Sequence, residues 1–321
     1  MQVVIDKGIP FLDGVFPSDI EVLHLSPEEI TPCAVRNADA LFVRTRTRIN
    51  KELLQGSKVR FVATATIGFD HIDQSYCREA GIHWVSCPGC NAQAVCDYVE
   101  EAIASSPHRL IASSPITIGI VGYGNVGKLV AQMAKNKGYR VLLSDPPLAI
   151  GSSLKEIAPQ CDVITFHTPL IHDGQYPTYH LCDANILHLC KPNTLIINAA
   201  RGGIIDEQAL LSTLNTQHST LNIKTAIDCW EDEPNLNQEL LKHVDLASFH
   251  IAGYSMQGKM NASEMCLRAF CEFFSLPILS INKKVVPLHG DSNPGWLKRI
   301  SDQLKAAPEQ FEQLSKQYKL R

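Results

Sequence analysis

An apolar run, Ile116-Thr117-Ile118-Gly119-Ile120-Val121, leads directly into Gly122-Tyr123-Gly124-Asn125-Val126-Gly127. A run with so little alternation suits a strand buried on both faces of a sheet. Residues 126–137 read as a helix, so the glycines sit in a strand–turn–helix context, which a lone G-x-G-x-x-G lacks. In that context the first glycine makes the tight turn and the second lets backbone approach a pyrophosphate. The third lets the helix pack on the strand. The helix N-terminus then offers N–H donors and the positive end of its dipole to phosphate. About twenty residues on, Asp145 closes the next strand, where a carboxylate accepts from both ribose hydroxyls and repels a 2′-phosphate. The cofactor expected is NAD, held by Gly122, Gly124, Asn125, Val126, Gly127 and Asp145.

The surrounding pattern alternates strand and helix. Strands are expected at 140–144, 161–166, 194–198, 224–228 and 245–248, and helices at 126–137 and 208–215, with a long helical stretch over 255–274. That order predicts a doubly wound Rossmann-type sheet. Ahead of it, strands at 1–6, 22–25, 40–43, 61–66 and 82–85 alternate with helices at 27–36, 51–54 and 71–80, which indicates a smaller α/β domain with a parallel sheet. A helix over 91–105 bridges the two, followed by a short link at 105–115. The expected division is 1–92 for substrate, completed by about 256–285, then 93–255 for the nucleotide. A short C-terminal extension, 286–321, is left for dimerisation. It reads as a strand-like piece from 281, a loop around 290–295 and an amphipathic helix from about 308. The glycine loop begins a third of the way along the chain, so the first domain is available to cover the cofactor in a cleft.

Composition excludes several classes. A net charge of -4 leaves no basic field for nucleic acid. No apolar run of membrane-spanning length occurs, and the charged start Met1–Lys7 is unlike a signal peptide, so a cytoplasmic protein is expected. The 11 cysteines then read as reduced thiols. Cys87-Pro88-Gly89-Cys90 has redox or half-zinc-site spacing, but no second pair or histidine cluster accompanies it. It reads as a turn before a helix, and no metal is expected.

Three later segments fall at strand ends: Asn198-Ala199-Ala200-Arg201-Gly202-Gly203, Asp228-Cys229-Trp230-Glu231-Asp232-Glu233-Pro234 and His250-Ile251-Ala252-Gly253-Tyr254-Ser255. In order and spacing they resemble the Arg, Glu and His motifs of the D-2-hydroxy-acid dehydrogenases, and the likeness runs from about Val43 to Lys259. The chemistry is coherent on its own terms. Oxidising a secondary alcohol needs a base with a pKa near working pH, which suits His250. A carboxylate fixes the imidazole tautomer; Glu233 is chosen over Glu231 because the family's glutamate directly precedes the proline. Arg201 offers a planar fork to a substrate carboxylate. The resemblance further implies cofactor contacts at Thr168, Ala199, Asp228 and Gly253, a flavodoxin-like substrate domain and a homodimer.

Narrower strings (Val43-Arg44-Thr45-Arg46-Thr47, Thr64-Ala65-Thr66-Ile67-Gly68, Pro177-Thr178-Tyr179-His180-Leu181 and Tyr254-Ser255) resemble the branch of that family acting on a small phosphorylated hydroxy acid. Arg44, Thr45, Arg46, Thr66 and Tyr254 are the substrate contacts this implies. Arg44, Arg46 and Arg48 alternate, so on an extended chain they would point to one side and suit a phosphomonoester, with Arg48 assigned to a solvated edge. The rivals are another D-2-hydroxy acid as substrate, such as 3-phosphoglycerate or D-lactate, and a non-catalytic nucleotide sensor. The intact Arg201–Glu233–His250 set argues against the sensor.

Overall fold

The computed structural model describes residues 1–106, 115–215, 221–281 and 293–318. Contacts divide the chain into two units, Met1–Asn91 with Ser255–His289, and Ala92–Tyr254 with Gly290–Arg321. The first strands are β1 (Gln2–Asp6), β2 (Glu21–Leu25), β3 (Ala40–Val43), β4 (Phe61–Thr64) and β5 (His83–Val85). Then come β6 (Thr117–Val121), β7 (Arg140–Asp145), β8 (Ile150–Gly151), β9 (Val163–Phe166), β10 (Leu195–Asn198), β11 (Lys224–Ile227) and β12 (Leu246–Ala247). The helices are α1 (Lys51–Leu54), α2 (Gln74–Glu79), α3 (Ala92–Ser105), α4 (Asn125–Asn136), α5 (Leu154–Ile157) and α6 (Ala184–Leu189). They continue as α7 (Glu207–Asn215), α8 (Gln238–His243), α9 (Met256–Phe273), α10 (Trp296–Ala306) and α11 (Phe311–Gln317).

The first unit is a wholly parallel sheet in the order β2-β1-β3-β4-β5. Successive strand residues face opposite sides, and the two cores follow that alternation. Val3, Ile5, Phe42 and Phe61 pack on one side with Cys266, Leu267 and Phe270 of α9. Val4, Leu41, Val43 and Val62 pack on the other with Leu53, Leu54 and Cys77. The Phe270 ring lies 5.6 Å from Phe42 and 6.1 Å from Phe61, so a helix distant in sequence completes this core. Residues 27–36, expected as a helix, form turns instead. Pro32 supplies no N–H and disfavours helical geometry at Thr31, so a continuous helix ladder cannot form there.

The second unit has the order β12-β11-β10-β9-β6-β7-β8, parallel except for the antiparallel β7–β8 pair. All five residues of β6 are buried between β7 and β9, as its apolar sequence requires. Strand order reverses between β6 and β9, so the glycine loop leaves the sheet at a topological switch point, where such sheets bind ligands. The architecture is thus two doubly wound parallel α/β sheets. The C-terminal residues do not stand apart as the sequence suggested: Trp296, Leu297, Leu304, Phe311 and Leu314 join the second core. The Ala247 N–H also donates to Ser301 Oγ at 3.0 Å. Helix α10 escaped the sequence reading because its apolar residues are outnumbered by polar neighbours. Most of the link at 105–115, and of the strand-like piece and loop expected over 281–295, lies outside the described residues. Among the described residues no helix is long and apolar enough to cross a membrane.

Candidate active site

The glycine loop is shaped by close backbone packing. A Cβ on Gly127 would lie 2.0 Å from the Gly122 carbonyl oxygen, and Gly122, at φ +92°, rests against the His167 carbonyl. Neither position can hold a larger residue. At Gly124 the reverse is true, since a Cβ there would meet no protein atom within 4 Å. Gly124 caps α4 without any side-chain hydrogen bond, so the first N–H groups of the helix, at Asn125 and Val126, are left for an anion. Asp145, at the end of β7, accepts from the Tyr123 N–H at 2.7 Å and from Leu148 N–H at 3.2 Å. Beyond its expected ribose contact, it anchors the loop.

The segment after β9 lies beside this loop. The His167 N–H donates to the Val121 carbonyl at 2.7 Å, and its Nε2 meets Thr165 Oγ1 at 3.0 Å. His167 Nδ1 and Thr168 Oγ1 are buried without a hydrogen-bond partner among the described residues. Burial pulls the His167 pKa down to about 3, so its imidazole is neutral. Two orphaned polar atoms, an open surface over Gly124 and an uncapped helix form a set that a dinucleotide would satisfy. These residues therefore fit NAD.

The acid–base candidates stand at the ends of β10, β11 and β12. His250 Nδ1 lies 2.7 Å from Glu233 Oε2. His250 has φ 59°, a left-handed conformation that is costly for a residue with a Cβ. What holds it there is Asp228, 1 % exposed. The Asp228 carbonyl accepts from the His250 N–H at 3.0 Å, and its carboxylate accepts from Ile251 N–H at 2.8 Å and Ala252 N–H at 2.9 Å. Ser248 Oγ donates to the same carboxylate at 2.6 Å, and Tyr98 OH is 2.9 Å from Ser248 Oγ. The resemblance implies only a cofactor contact for Asp228. Its buried carboxylate also clamps the histidine loop, a task visible only once the loop is folded.

Glu233 is tied in turn, accepting from Trp230 N–H at 2.8 Å through Oε1, while the Trp230 indole donates to the Ser248 carbonyl at 2.8 Å. The Cys229 sulfur first, and then the Glu233 carboxylate, hold the His250 pKa well above its ordinary value, against burial, which lowers it. Cys229, Glu233 and His250 have ligating atoms within 4.8 Å of one another, close enough that they could share an ion. Glu207, unnoticed in the sequence, accepts from the Glu231 N–H at 2.7 Å, and burial pushes its pKa up to about 7.

Arg201 follows β10 with its side chain exposed; its Nη1 donates to Ala200 O at 2.7 Å. Asn198 joins its loop to the glutamate loop, donating to both the Arg201 carbonyl at 2.9 Å and the Cys229 carbonyl at 3.2 Å. Gly202 packs so closely that a Cβ would lie 1.8 Å from the Trp230 carbonyl oxygen. Ala199 is buried at the start of this turn. Gly253 sits within the turn closed by the Tyr254 N–H to Ile251 carbonyl bond at 2.8 Å, and the Tyr254 side chain is exposed.

In the first unit the arginine run corrects the sequence expectation. β3 ends at Val43, and residues 44–47 turn, with the Thr47 N–H donating to the Arg44 carbonyl at 3.1 Å. The alternating side chains therefore do not share one side of an extended strand. Arg44 is committed to Asp6, donating through Nε and Nη2 at 2.9 Å each. Thr45 and Arg46 are exposed on the turn, and Arg48 is exposed just after it. Thr66 donates to the Gly68 carbonyl at 2.9 Å and lies 2.7 Å from Thr64 Oγ1. The Cys87–Cys90 pair forms the expected turn before α3, closed by the Cys90 N–H to Cys87 carbonyl bond at 3.3 Å.

A doubly wound nucleotide sheet bearing an imidazole–carboxylate pair and an exposed arginine at neighbouring strand ends defines an NAD-dependent 2-hydroxyacid dehydrogenase. Residues 97–252 match the model of the D-isomer specific 2-hydroxyacid dehydrogenase NAD-binding domain. The erythronate-4-phosphate dehydrogenase of Bacteroides fragilis is 43% identical, covering 100% of this chain and 97% of that one. The enzyme of the same name from Bacteroides thetaiotaomicron is 41% identical with the same coverage. The chain belongs to the erythronate-4-phosphate dehydrogenase family. Among solved structures, D-mandelate dehydrogenase of Rhodotorula graminis shares the fold at a TM-score of 0.70 and 21% identity, covering 90% of this chain and 99% of that one.

Proposed function

We propose that this chain oxidises the 2-hydroxyl of 4-phospho-D-erythronate to give 2-oxo-3-hydroxy-4-phosphobutanoate, with NAD as acceptor, in pyridoxal 5′-phosphate (vitamin B6) biosynthesis. The observation that carries the chemistry is the 2.7 Å pairing of His250 Nδ1 with Glu233, on a loop clamped by Asp228. Likeness over the whole chain to relatives bearing the erythronate-4-phosphate name supports the substrate.

NAD, when bound, supplies the two-electron acceptor. With Nδ1 engaged by Glu233, His250 is left Nε2 to take the hydroxyl proton, and the carboxylate stabilises the imidazolium that results. Arg201 pairs with the substrate carboxylate and polarises the forming carbonyl. Thr45, Arg46, Thr66 and Tyr254 contact the substrate, while Thr168, Ala199, Asp228 and Gly253 line the cofactor. The chain acts as a homodimer in the cytoplasm; light scattering would give twice the mass of 35.4 kDa.

NADH formation from 4-phospho-D-erythronate, 3-phospho-D-glycerate and D-lactate, measured side by side, tests the substrate. The first should have the highest kcat/KM. If it is the poorest of the three, the assignment fails.

A further inference from the structure

Arg44 is seated in an unusual way. A Cβ on Gly8 would fall 1.9 Å from Arg44 Nη2, so the guanidinium lies directly over the residue-8 backbone. Asp6, wholly buried, accepts two bonds from Arg44 and one from the Gly8 N–H at 2.8 Å. The fork is fixed and its charge matched, while Nη1 remains free of Asp6.

A second cation stands beside it. Lys259 lies in the first turn of α9, its N–H donating to the Ser255 carbonyl at 3.1 Å. Ser263, one turn further on and on the same helix face, donates through Oγ to the Pro10 carbonyl at 2.8 Å. That face of α9 therefore runs along the 8–10 loop over which Arg44 is laid. Lys259 is accessible to solvent, yet burial of its ammonium end first, and Arg44 second, pull its pKa below the ordinary value. Among the described residues Lys259 forms no ion pair and no side-chain hydrogen bond. Asp6 matches the charge of Arg44, and Lys259 adds a positive charge that no ion pair among the described residues offsets.

We propose that Lys259 and the free Nη1 edge of Arg44 form the seat of the substrate's phosphomonoester, which makes Lys259 a specificity-determining residue. The inference rests on the reading of the substrate as a phosphorylated acid. An ammonium supplies a point charge and the guanidinium edge supplies directed N–H donors, a pairing suited to a dianion with three acceptor oxygens. Arg46, exposed on the turn, and Arg48, exposed after it, lack the backbone floor beneath Arg44 and contribute less.

Calorimetry with inorganic phosphate on the NAD-loaded protein tests this directly. The wild type should bind one phosphate, Lys259→Gln should weaken binding at least 10-fold, and Lys259→Arg should retain most of it. Equal affinity in wild type and Lys259→Gln, or no binding by the wild type, overturns the proposal. Turnover in the same preparations decides the underlying reading separately. A wild type that binds phosphate without oxidising 4-phospho-D-erythronate sinks the substrate assignment and leaves the phosphate seat standing.

Discussion

At the end of β6 the glycine loop is held by backbone, with Gly127 against the Gly122 carbonyl and Gly122 against the His167 carbonyl. At the ends of β1 and β3 the corresponding positions of the first unit are held by side chains, with Asp6 gripping Arg44 from another strand and Lys259 arriving on α9. The nucleotide end reads a constant group, a pyrophosphate, with N–H donors that any sequence of the right shape supplies. In the proposed function the first unit reads a particular acid, and so depends on which side chains distant segments deliver. Steric changes should damage the former and charge changes the latter.

The largest effect is expected from Gly127→Val. A side chain at that position meets a main-chain oxygen that cannot move without breaking the loop, so NAD affinity should fall more than 100-fold, as read by NADH fluorescence. Near-normal affinity would mean that the packing of α4 on β6 is not what shapes the phosphate cradle.

A smaller loss is expected from Glu233→Gln, which keeps the shape and removes the charge. The wild-type His250 pKa is raised, so the neutral base becomes abundant only as pH climbs above 6.5. Oxidation should therefore accelerate with pH through a value above 6.5, and ketone reduction should slow over the same range. The stability that His250 contributes is complete below 6.5 and lost as pH rises through the raised value. In Glu233→Gln the midpoint should shift downward and kcat should fall about 10–100-fold. An unmoved midpoint would remove Glu233 from the proton-handling pair.

In the first unit the expected effect falls on stability, and the effect on cofactor binding is the smallest. Asp6→Asn leaves Arg44 without its bidentate partner and should cost about 2–3 kcal/mol of stability, as measured by urea denaturation. NAD affinity should not change. A loss of NAD binding here would break the division of labour between the two sheet ends.

The nucleotide sheet was readable because a strand buried on both faces must be apolar throughout, and because a glycine loop announces itself locally. The strings that hold His250, Glu233 and Arg201 were legible for a similar reason, since each follows a strand as a recognisable local motif. The supporting groups were not. Asp228, Ser248 and Tyr98 form one hydrogen-bonded chain, but they are far apart in sequence and nothing local links them. The arginine run was misread because alternation implies one-sidedness only on an extended chain, and a turn begins at residue 44. Lys259 and Asp6 carry no motif at all, and the fold alone brings them to Arg44. Residues 27–36 had helical spacing, but Pro32 decided against a helix.

In the proposed reaction His250 moves the substrate proton, and the most direct check is turnover and NAD binding of His250→Asn in one preparation. The replacement should lower kcat for 4-phospho-D-erythronate by about 100–10,000-fold while NAD affinity stays within about twofold of wild type. Turnover at the wild-type rate would contradict it.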